Sequence, residues 1–320
     1  MEDYPRDLLE LEERFATDQG CRDYLVRLRW PEGFRCPRCG HGRAWTVRRV
    51  WLECASCHHQ ASVTAGTIFQ DTRKPLRLWF RAIWYVTSQK NGASALGVQR
   101  VLGLACYKTA WSWLHKLRRA MVRPGRDRLK GVVEVDETYL GGLEEGVAGR
   151  ETEKKALIAV AAEEDGNGIG RIRLQHIPDA SACSLHSFVL ASVEGGSVLH
   201  TDGWEGYNGL EVFGYKRKAT VLHGRKKKPH ELMPRVHRVA SLLKRWILGT
   251  HQGAVSHEHL GYYLDEFTFR FNRRTSQFRG KLFYRLLEQA VVTEPVPFGR
   301  LNKHSRPPSE RRRRRNSRST

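Results

Sequence analysis

The chain has 320 residues, of which 40% are hydrophobic, so it is long enough for two or three packed units and can bury real cores. Its 55 Lys and Arg against 34 Asp and Glu leave a formal charge of +21. That excess points to a polyanionic partner, nucleic acid first, because cations that neutralise phosphates release counterions. A membrane surface is the competing polyanion, but no long basic amphipathic helix with a lipid-facing side is present. Apolar runs such as Ala156–Ala162 fall far short of the roughly 18 residues that span a bilayer. Residues 1–20 are acidic and polar, unlike a signal peptide. The expected setting is the cytoplasm, where thiols stay reduced and a close Cys pair suggests metal before disulfide.

Residues 1–20 read as a short polar lead, helical around Leu8–Phe15. Residues 21–70 hold four of the seven Cys among short strands and turns. There Cys36-Pro37-Arg38-Cys39-Gly40 precedes Cys54-Ala55-Ser56-Cys57, with two residues inside each pair and fourteen between the pairs. Two such turns can offer four thiolates to one tetrahedral Zn²⁺, and Trp45–Glu53 reads as strand between them, which suits a zinc ribbon. His41, His58 and His59 are alternative ligands, but the Cys set is already complete. A closed four-thiolate shell has no open position, so this zinc is expected to be structural. Cys21, Cys106 and Cys183 stand alone and read as small core residues.

Residues 71–125 carry helical spacing. Pro75 fits the first turn of a helix to about Gln89, Ser94 can cap a second that stops near Gly103, and a third runs from Tyr107 to Met121. Trp111, Leu114 and Leu117 suit a core, while Lys108, Lys116, Arg118 and Arg119 are candidate DNA contacts. Two helices joined at Gly103 match a helix-turn-helix with its last helix offered to the major groove; the plainer reading is a three-helix bundle with solvated charges.

Residues 126–295 alternate strands and helices. Gly131–Tyr139, Ala156–Ala162 and Arg171–Ile177 read as a three-strand meander that turns at Asp165-Gly166-Asn167-Gly168. Ala182–Val193 reads as a helix, Ser197–Asp202 as a fourth strand, and Arg238–Leu248 as a later helix. This order predicts an α/β fold with a mixed sheet of the ribonuclease H type, Asp136 on the first strand and Asp202 ending its neighbour. Strand alternation puts Glu134 and Asp136 on one face and Glu137 on the other. Taken singly, each Asp reads as a turn or cap residue. Together they are candidate ligands for Mg²⁺ or Mn²⁺, which favour oxygen donors and serve phosphoryl transfer in pairs. Residues 296–320 form a basic tail containing Arg311–Arg315; with Lys226–Lys228 it either tracks DNA or is simply solvated.

Several motifs in one order resemble the zinc-ribbon insertion-sequence transposases of the ISXO-like type, from about Asp7 to Val292. They are the four Cys, Thr64-Ala65-Gly66-Thr67-Ile68-Phe69, Val135-Asp136-Glu137-Thr138-Tyr139-Leu140-Gly141-Gly142, and Thr201-Asp202-Gly203-Trp204-Glu205-Gly206-Tyr207. Leu242-Leu243-Lys244-Arg245-Trp246, Gly249-Thr250-His251, Tyr263-Leu264-Asp265-Glu266-Phe267 and Phe271-Asn272 complete the set. The resemblance implies a ribonuclease H-like catalytic core with a zinc ribbon and helix-turn-helix, a catalytic divalent metal, and binding to the terminal inverted repeats of an element. It further implies double-stranded DNA as partner and a homo-oligomer that joins two ends.

Such transposases usually have Asp, Asp and a helical Glu followed seven positions later by Lys or Arg. Aligning Lys244 with that basic residue puts His237 in the Glu position, with 34 residues between it and Asp202. A neutral imidazole there can ligate metal or carry a proton. Glu231 is the rival, with Arg238 seven on, but Pro234 lies between them and breaks a shared helical face. The resemblance thus implies Asp136, Asp202 and His237 as catalytic metal ligands and Lys244 as a phosphate contact. Trp204, close behind Asp202, is either core or a platform for an unpaired end base. The expected activity is cleavage and strand transfer at element ends; the alternatives are an inactive or domesticated DNA-binding regulator, and a nuclease without strand transfer.

Overall fold

The computed structural model describes residues 2–48, 50–123, 125–142, 155–220, 229–253 and 255–301. The basic runs Lys226–Lys228 and Arg311–Arg315 lie outside the described residues.

The chain opens with α1 (Leu8–Arg14) and α2 (Asp18–Arg29), capped by the side chains of Asp7 and Thr17. A small antiparallel sheet follows, β1 (Ala44–Val47), β2 (Trp51–Cys54) and β3 (Gln60–Ser62). The expected single strand over Trp45–Glu53 is a hairpin, because Arg48 adopts a left-handed turn conformation at φ 49° and reverses the chain.

Next come α3 (Leu76–Ser88), α4 (Ala95–Leu102) and α5 (Tyr107–Ala120). Ser94 Oγ accepts the Gly97 N–H at 3.1 Å to start α4, and left-handed Gly103 ends it. Leu11, Tyr24, Trp79, Phe80, Trp113 and Leu117 share one core with Phe283 and Leu287, which belong to a helix near the end of the chain. Trp79 stacks on Trp113 at 3.9 Å between ring centres. The polar lead is therefore packed rather than loose: its apolar stripe closes the same core as the helices after the ribbon.

The second half is built on five strands: β4 (Val132–Leu140), β5 (Ala156–Asp165), β6 (Gly168–Ile177), then β7 (Val198–Asp202) and β8 (Lys216–Thr220), with α6 (Ala182–Ser192) between β6 and β7. Their spatial order is β6-β5-β4-β7-β8. The first three pair antiparallel, whereas β7 and β8 run parallel to β4. A meander of three strands continued by two parallel strands on its first member is the ribonuclease H-like arrangement. The helices α7 (Pro229–Leu232), α8 (Pro234–His251), α9 (His257–Phe271), α10 (Arg279–Ala290) and α11 (Phe298–Leu301) follow.

Each face of the sheet has its own core, as period-two alternation requires. Val133, Val135, Ala159 and Ala161 pack on Leu185 and Phe188 of α6. Ile158, Val160 and Leu174 pack on Val236, Val239 and Leu243 of α8 and on Leu264 of α9. Asp136 lies opposite Val160 and so belongs to the α8 face.

Candidate metal centres and nucleic-acid contacts

The four cysteines of the ribbon converge. Cys36 and Cys57 sulfurs are 3.6 Å apart, Cys39 and Cys54 likewise, and all four lie within 4.8 Å of one another. Four thiolates at 2.3 Å from one tetrahedral Zn²⁺ would be separated by about 3.8 Å. The knuckles form because the Gly40 and His58 N–H groups turn back onto the carbonyls of Cys36 and Cys54 at 2.9 and 3.1 Å. Gly40 and His58 both take left-handed φ values, 75° and 54°. His58 is directed to Glu53 at 3.3 Å.

The acidic site forms where β4 and β7 run side by side. Val135 pairs with Thr201, so the next register step brings Asp136 beside Asp202, on the α8 face. His237 enters from the first turn of α8, and its Nε2 stands 3.9 Å from Asp136 Oδ2. Asp202 Oδ1 is turned onto the main-chain N–H of Trp204 at 3.0 Å. Asp136 Oδ1 accepts the N–H of Glu137 at 2.9 Å, and Oδ2 is the oxygen that faces His237. Donor atoms on one divalent ion at 2.1 Å lie about 3.0–4.2 Å apart, so the Asp136–His237 spacing fits a shared ion. Among the described residues only the four cysteines gather three or more donors within 4.8 Å of one another; the Asp136, Asp202 and His237 set is wider than that.

Two charged devices place α8. Glu134 is buried on the same face of β4, two residues before Asp136, and accepts the N–H groups of Arg235 and Val236 at 2.7 and 3.0 Å. A carboxylate at this helix start also meets the positive end of the helix dipole. The Arg235 guanidinium joins Glu134 at 2.9 Å and Glu164 at 2.5 Å. At the other end of α8, Trp246 Nε1 and Thr250 Oγ1 both donate to the Asn91 carbonyl, at 2.9 and 2.6 Å. Gly92 permits this approach: its φ is 79°, and a Cβ there would meet Trp246 Nε1 at 2.9 Å.

Behind the site, on the α6 face, Tyr207 donates its hydroxyl to Glu137 at 2.6 Å. Burial, then the nearby carboxylates of Glu137, Asp136 and Asp202, hold this phenol protonated well above its ordinary range. Lys244 lies two turns after His237 and is exposed; burial of its stem, then the neighbouring charge of Lys155, lowers its pKa. Glu231 sits on the separate helix α7 and is exposed, while Pro234 takes the first position of α8, where a proline is tolerated.

The expected DNA contacts on α5 fare differently from one another. Lys108 is exposed at its start, and Lys116 and Arg119 are half-buried. Arg118 is fully buried: its Nε donates to Glu266 of α9 at 2.8 Å and its guanidinium lies 3.8 Å over the Tyr263 ring. This corrects the expectation that Arg118 faces DNA. Helical spacing alone could not separate it from its neighbours, because its partner lies 148 residues away. With Trp113, Leu114, His115 and Leu117 also buried, α5 is a central strut, and beyond Lys108 it is not presented as a free recognition helix. Trp204 is 37% exposed, anchored by its indole N–H to the Ala180 carbonyl at 2.8 Å.

Sequence reasoning noted that Glu134 shares a face with Asp136, but missed its role at α8, which depends on a tertiary contact. It also missed Lys155, which has no motif and lies beside Gly141 and near Lys244. Among the described residues no helix is long and apolar enough to cross a membrane.

Residues 128–272 match the family described as ISXO2-like transposase domain, and residues 16–60 match the transposase zinc-ribbon domain. The chain is 28% identical over 288 residues to an uncharacterized protein in transposable element ISH50 of Halobacterium salinarum, covering 80% of this chain and 91% of that one. Among solved structures, the Mos1 strand transfer complex overlaps 67% of this chain and 76% of its own at 14% identity and a TM-score of 0.27. A pre-cleavage Mos1 transpososome overlaps 66% and 77% at 12% identity and a TM-score of 0.25.

Proposed function

Starting from a chain that carries a transposase zinc ribbon followed by an ISXO2-like transposase domain, we propose that it cleaves DNA at the ends of a mobile element and joins those ends to target DNA. The observation that supports this reading is the 3.9 Å approach of His237 to Asp136, on a strand paired with the one that Asp202 ends. Asp136, Asp202 and His237 would hold catalytic Mg²⁺ or Mn²⁺, and Cys36, Cys39, Cys54 and Cys57 would hold a structural Zn²⁺. A divalent metal there would supply polarisation of the scissile phosphate and activation of the attacking oxygen.

The residues around that site have distinct tasks. Asp136 accepts its neighbour's N–H through one oxygen and presents the other toward His237, so its carboxylate is oriented before substrate arrives. His237, held by α8, supplies a neutral nitrogen donor in the place of the family's usual carboxylate. Lys244 and Lys155 put two cations beside the acidic face, where a phosphate near the cut would lie. Water first attacks the phosphodiester to free a 3′-hydroxyl, and that hydroxyl then attacks target DNA. Both are in-line phosphoryl transfers, so one site serves both. Two ends must be joined, which requires a homo-oligomer on DNA.

The test is a labelled duplex carrying the inverted repeat that flanks the gene, incubated with full-length protein, Mg²⁺ or Mn²⁺ and a target plasmid. Joined products support the proposal. Cleavage without joining assigns a nuclease instead. Tight end binding with no cleavage under either metal assigns a DNA-binding regulator, the reading that the neutral His237 favours over a fully acidic site.

A further inference from the structure

With Arg118 buried, α5 offers fewer cations to DNA than its sequence suggests, and a denser basic cluster lies elsewhere. Six arginines, Arg123, Arg126, Arg171, Arg173, Arg273 and Arg285, line one depression of about 670 Å³, against two carboxylates, Asp127 and Glu288. It lies where the segment after α5 meets the β6 edge of the sheet, the end of α9, and α10. Arg173 pairs across β5 with Ala161 and so faces away from the Asp136 side of the sheet.

The wiring of these arginines is unlike that of a closed ion-pair network. Arg173 is 5% exposed, and its guanidinium donates to two main-chain carbonyls, those of Ile172 and Asp127. Arg273 donates to the Phe269 carbonyl at 3.3 Å and lies 4.1 Å over that ring. Arg123 meets Asp127 at 3.4 Å, and Arg285 meets Glu288 at 2.7 Å. Arg171 is held by Glu163 at 2.6 Å. The carbonyls fix where the guanidiniums point without cancelling their charge. Burial, then Arg126 and Arg171, pushes Arg173 down to about 10; burial, then Arg285 and Arg123, lowers Arg273. Arg173 and Arg273 thus sit among neighbouring guanidiniums whose charge a bound polyanion would offset, whereas Arg171 is balanced by Glu163 and Arg285 by Glu288 and Glu2.

We propose that this arginine-lined seam is a phosphate-binding site that grips the backbone of duplex DNA, without regard to sequence, on a surface separate from the Asp136 site. The assignment to DNA rests on the transposase reading. Guanidinium forks match phosphate oxygens, and contacts of that kind position a duplex without reading its bases. The seam is a side path on which flanking or target DNA is held while the carboxylate face acts on an end.

The experiment uses full-length protein without divalent metal and two fluorescent duplexes of equal length, one with the element end and one scrambled. Affinity is followed by anisotropy against salt. The double variant Arg123→Gln with Arg126→Gln should lower the log–log salt slope by about 2 on both duplexes. Asp127→Asn keeps the carbonyl that holds Arg173, removes one of the two carboxylates and should tighten binding to both. Unchanged slope and affinity in both variants overturn the proposal. A loss confined to the element end overturns it too, since it would mean base reading. Inorganic pyrophosphate that binds the wild type but not the double variant, with duplex slopes equal, assigns the seam to free phosphates and overturns the DNA assignment. Binding is read without cleavage, so a seam that holds DNA in a protein that never cuts would separate this inference from the transposase reading.

Discussion

The carboxylate of Glu134 accepts the main-chain N–H of Val236 at 3.0 Å, two residues before Asp136 on the strand and one before His237 on the helix. One buried contact thus sets the separation of the two groups proposed to share a metal. Removing Glu134 leaves two helix-start N–H groups without their acceptor, while Arg235 keeps Glu164. Glu134→Ala should therefore cost about 1–3 kcal/mol in denaturant unfolding, as orphaning buried N–H groups does. It should also reduce metal-dependent cleavage in whatever fraction stays folded. Glu134→Gln retains an oxygen acceptor and should recover part of both. Equal stability of Glu134→Ala and wild type would refute this role.

Arg118 makes a contrasting prediction. Its pairing with Glu266, shared with Arg270 at 2.9 Å, joins α5 to α9 inside the protein. Arg118→Ala should destabilise by about 1.5–3 kcal/mol, the loss of a hydrogen bond to a charged group, because Arg270 still pairs with Glu266. The salt slope of DNA binding should stay as in the wild type, measured below the unfolding transition. A lower slope with unchanged stability would return Arg118 to the DNA surface.

Around that pair sit two buried histidines held neutral. Burial, then the charge of Arg118, depresses His115 to about 2 and His251 to about 4. The unfolded chain takes up these protons near pH 6.5 and the folded chain does not, so the unfolded state binds more protons in between. Stability is full above about pH 6.5 and falls as the pH drops, with His251 contributing down to about 4 and His115 below that. Each histidine should contribute a slope near 1.4 kcal/mol per pH unit in its window. Urea unfolding at pH 7.5, 6.0 and 5.0 measures the loss, and His251→Phe should flatten it. Stability that is level from pH 7.5 to 5.0 would contradict the neutral assignment.

Cys54→Ser should release the zinc of the ribbon, leaving a protein that binds less than one zinc per chain by a chromogenic thiol-displacement assay. The wild type should hold one. Because α1 and α2 bury Leu11, Tyr24 and Leu25 in the helical core and α2 meets the ribbon sheet through Arg29 on the Ser62 carbonyl, the far-ultraviolet helix signal should persist. Retention of one zinc by Cys54→Ser would show that a histidine completes the shell.

Much of this was legible in the sequence, for local reasons. The Cys spacing carries its own geometry, Ser94 and Gly103 mark a helix with capping chemistry, and the strand alternation around Glu134 and Asp136 assigns faces. Asp202 was legible as the end of a strand, although only the β4–β7 register puts it beside Asp136. What escaped the sequence depends on distant partners. Arg118 and Lys108 have similar helical surroundings, and only Glu266 decides that one is buried while the other is exposed. The arginine seam collects residues from four separate segments, none of which is a basic run.

The central claim is that Asp136, Asp202 and His237 act as one metal site. Its most direct measurement is Mn²⁺-dependent cleavage of an end-bearing duplex by the wild type, Asp136→Asn, Asp202→Asn, His237→Ala and His237→Glu, each first shown to be folded. The account predicts cleavage at the repeat end by the wild type, its loss in Asp136→Asn, Asp202→Asn and His237→Ala, and its retention in His237→Glu, where a carboxylate takes the nitrogen's place. Undiminished cleavage by Asp136→Asn or by His237→Ala would contradict it.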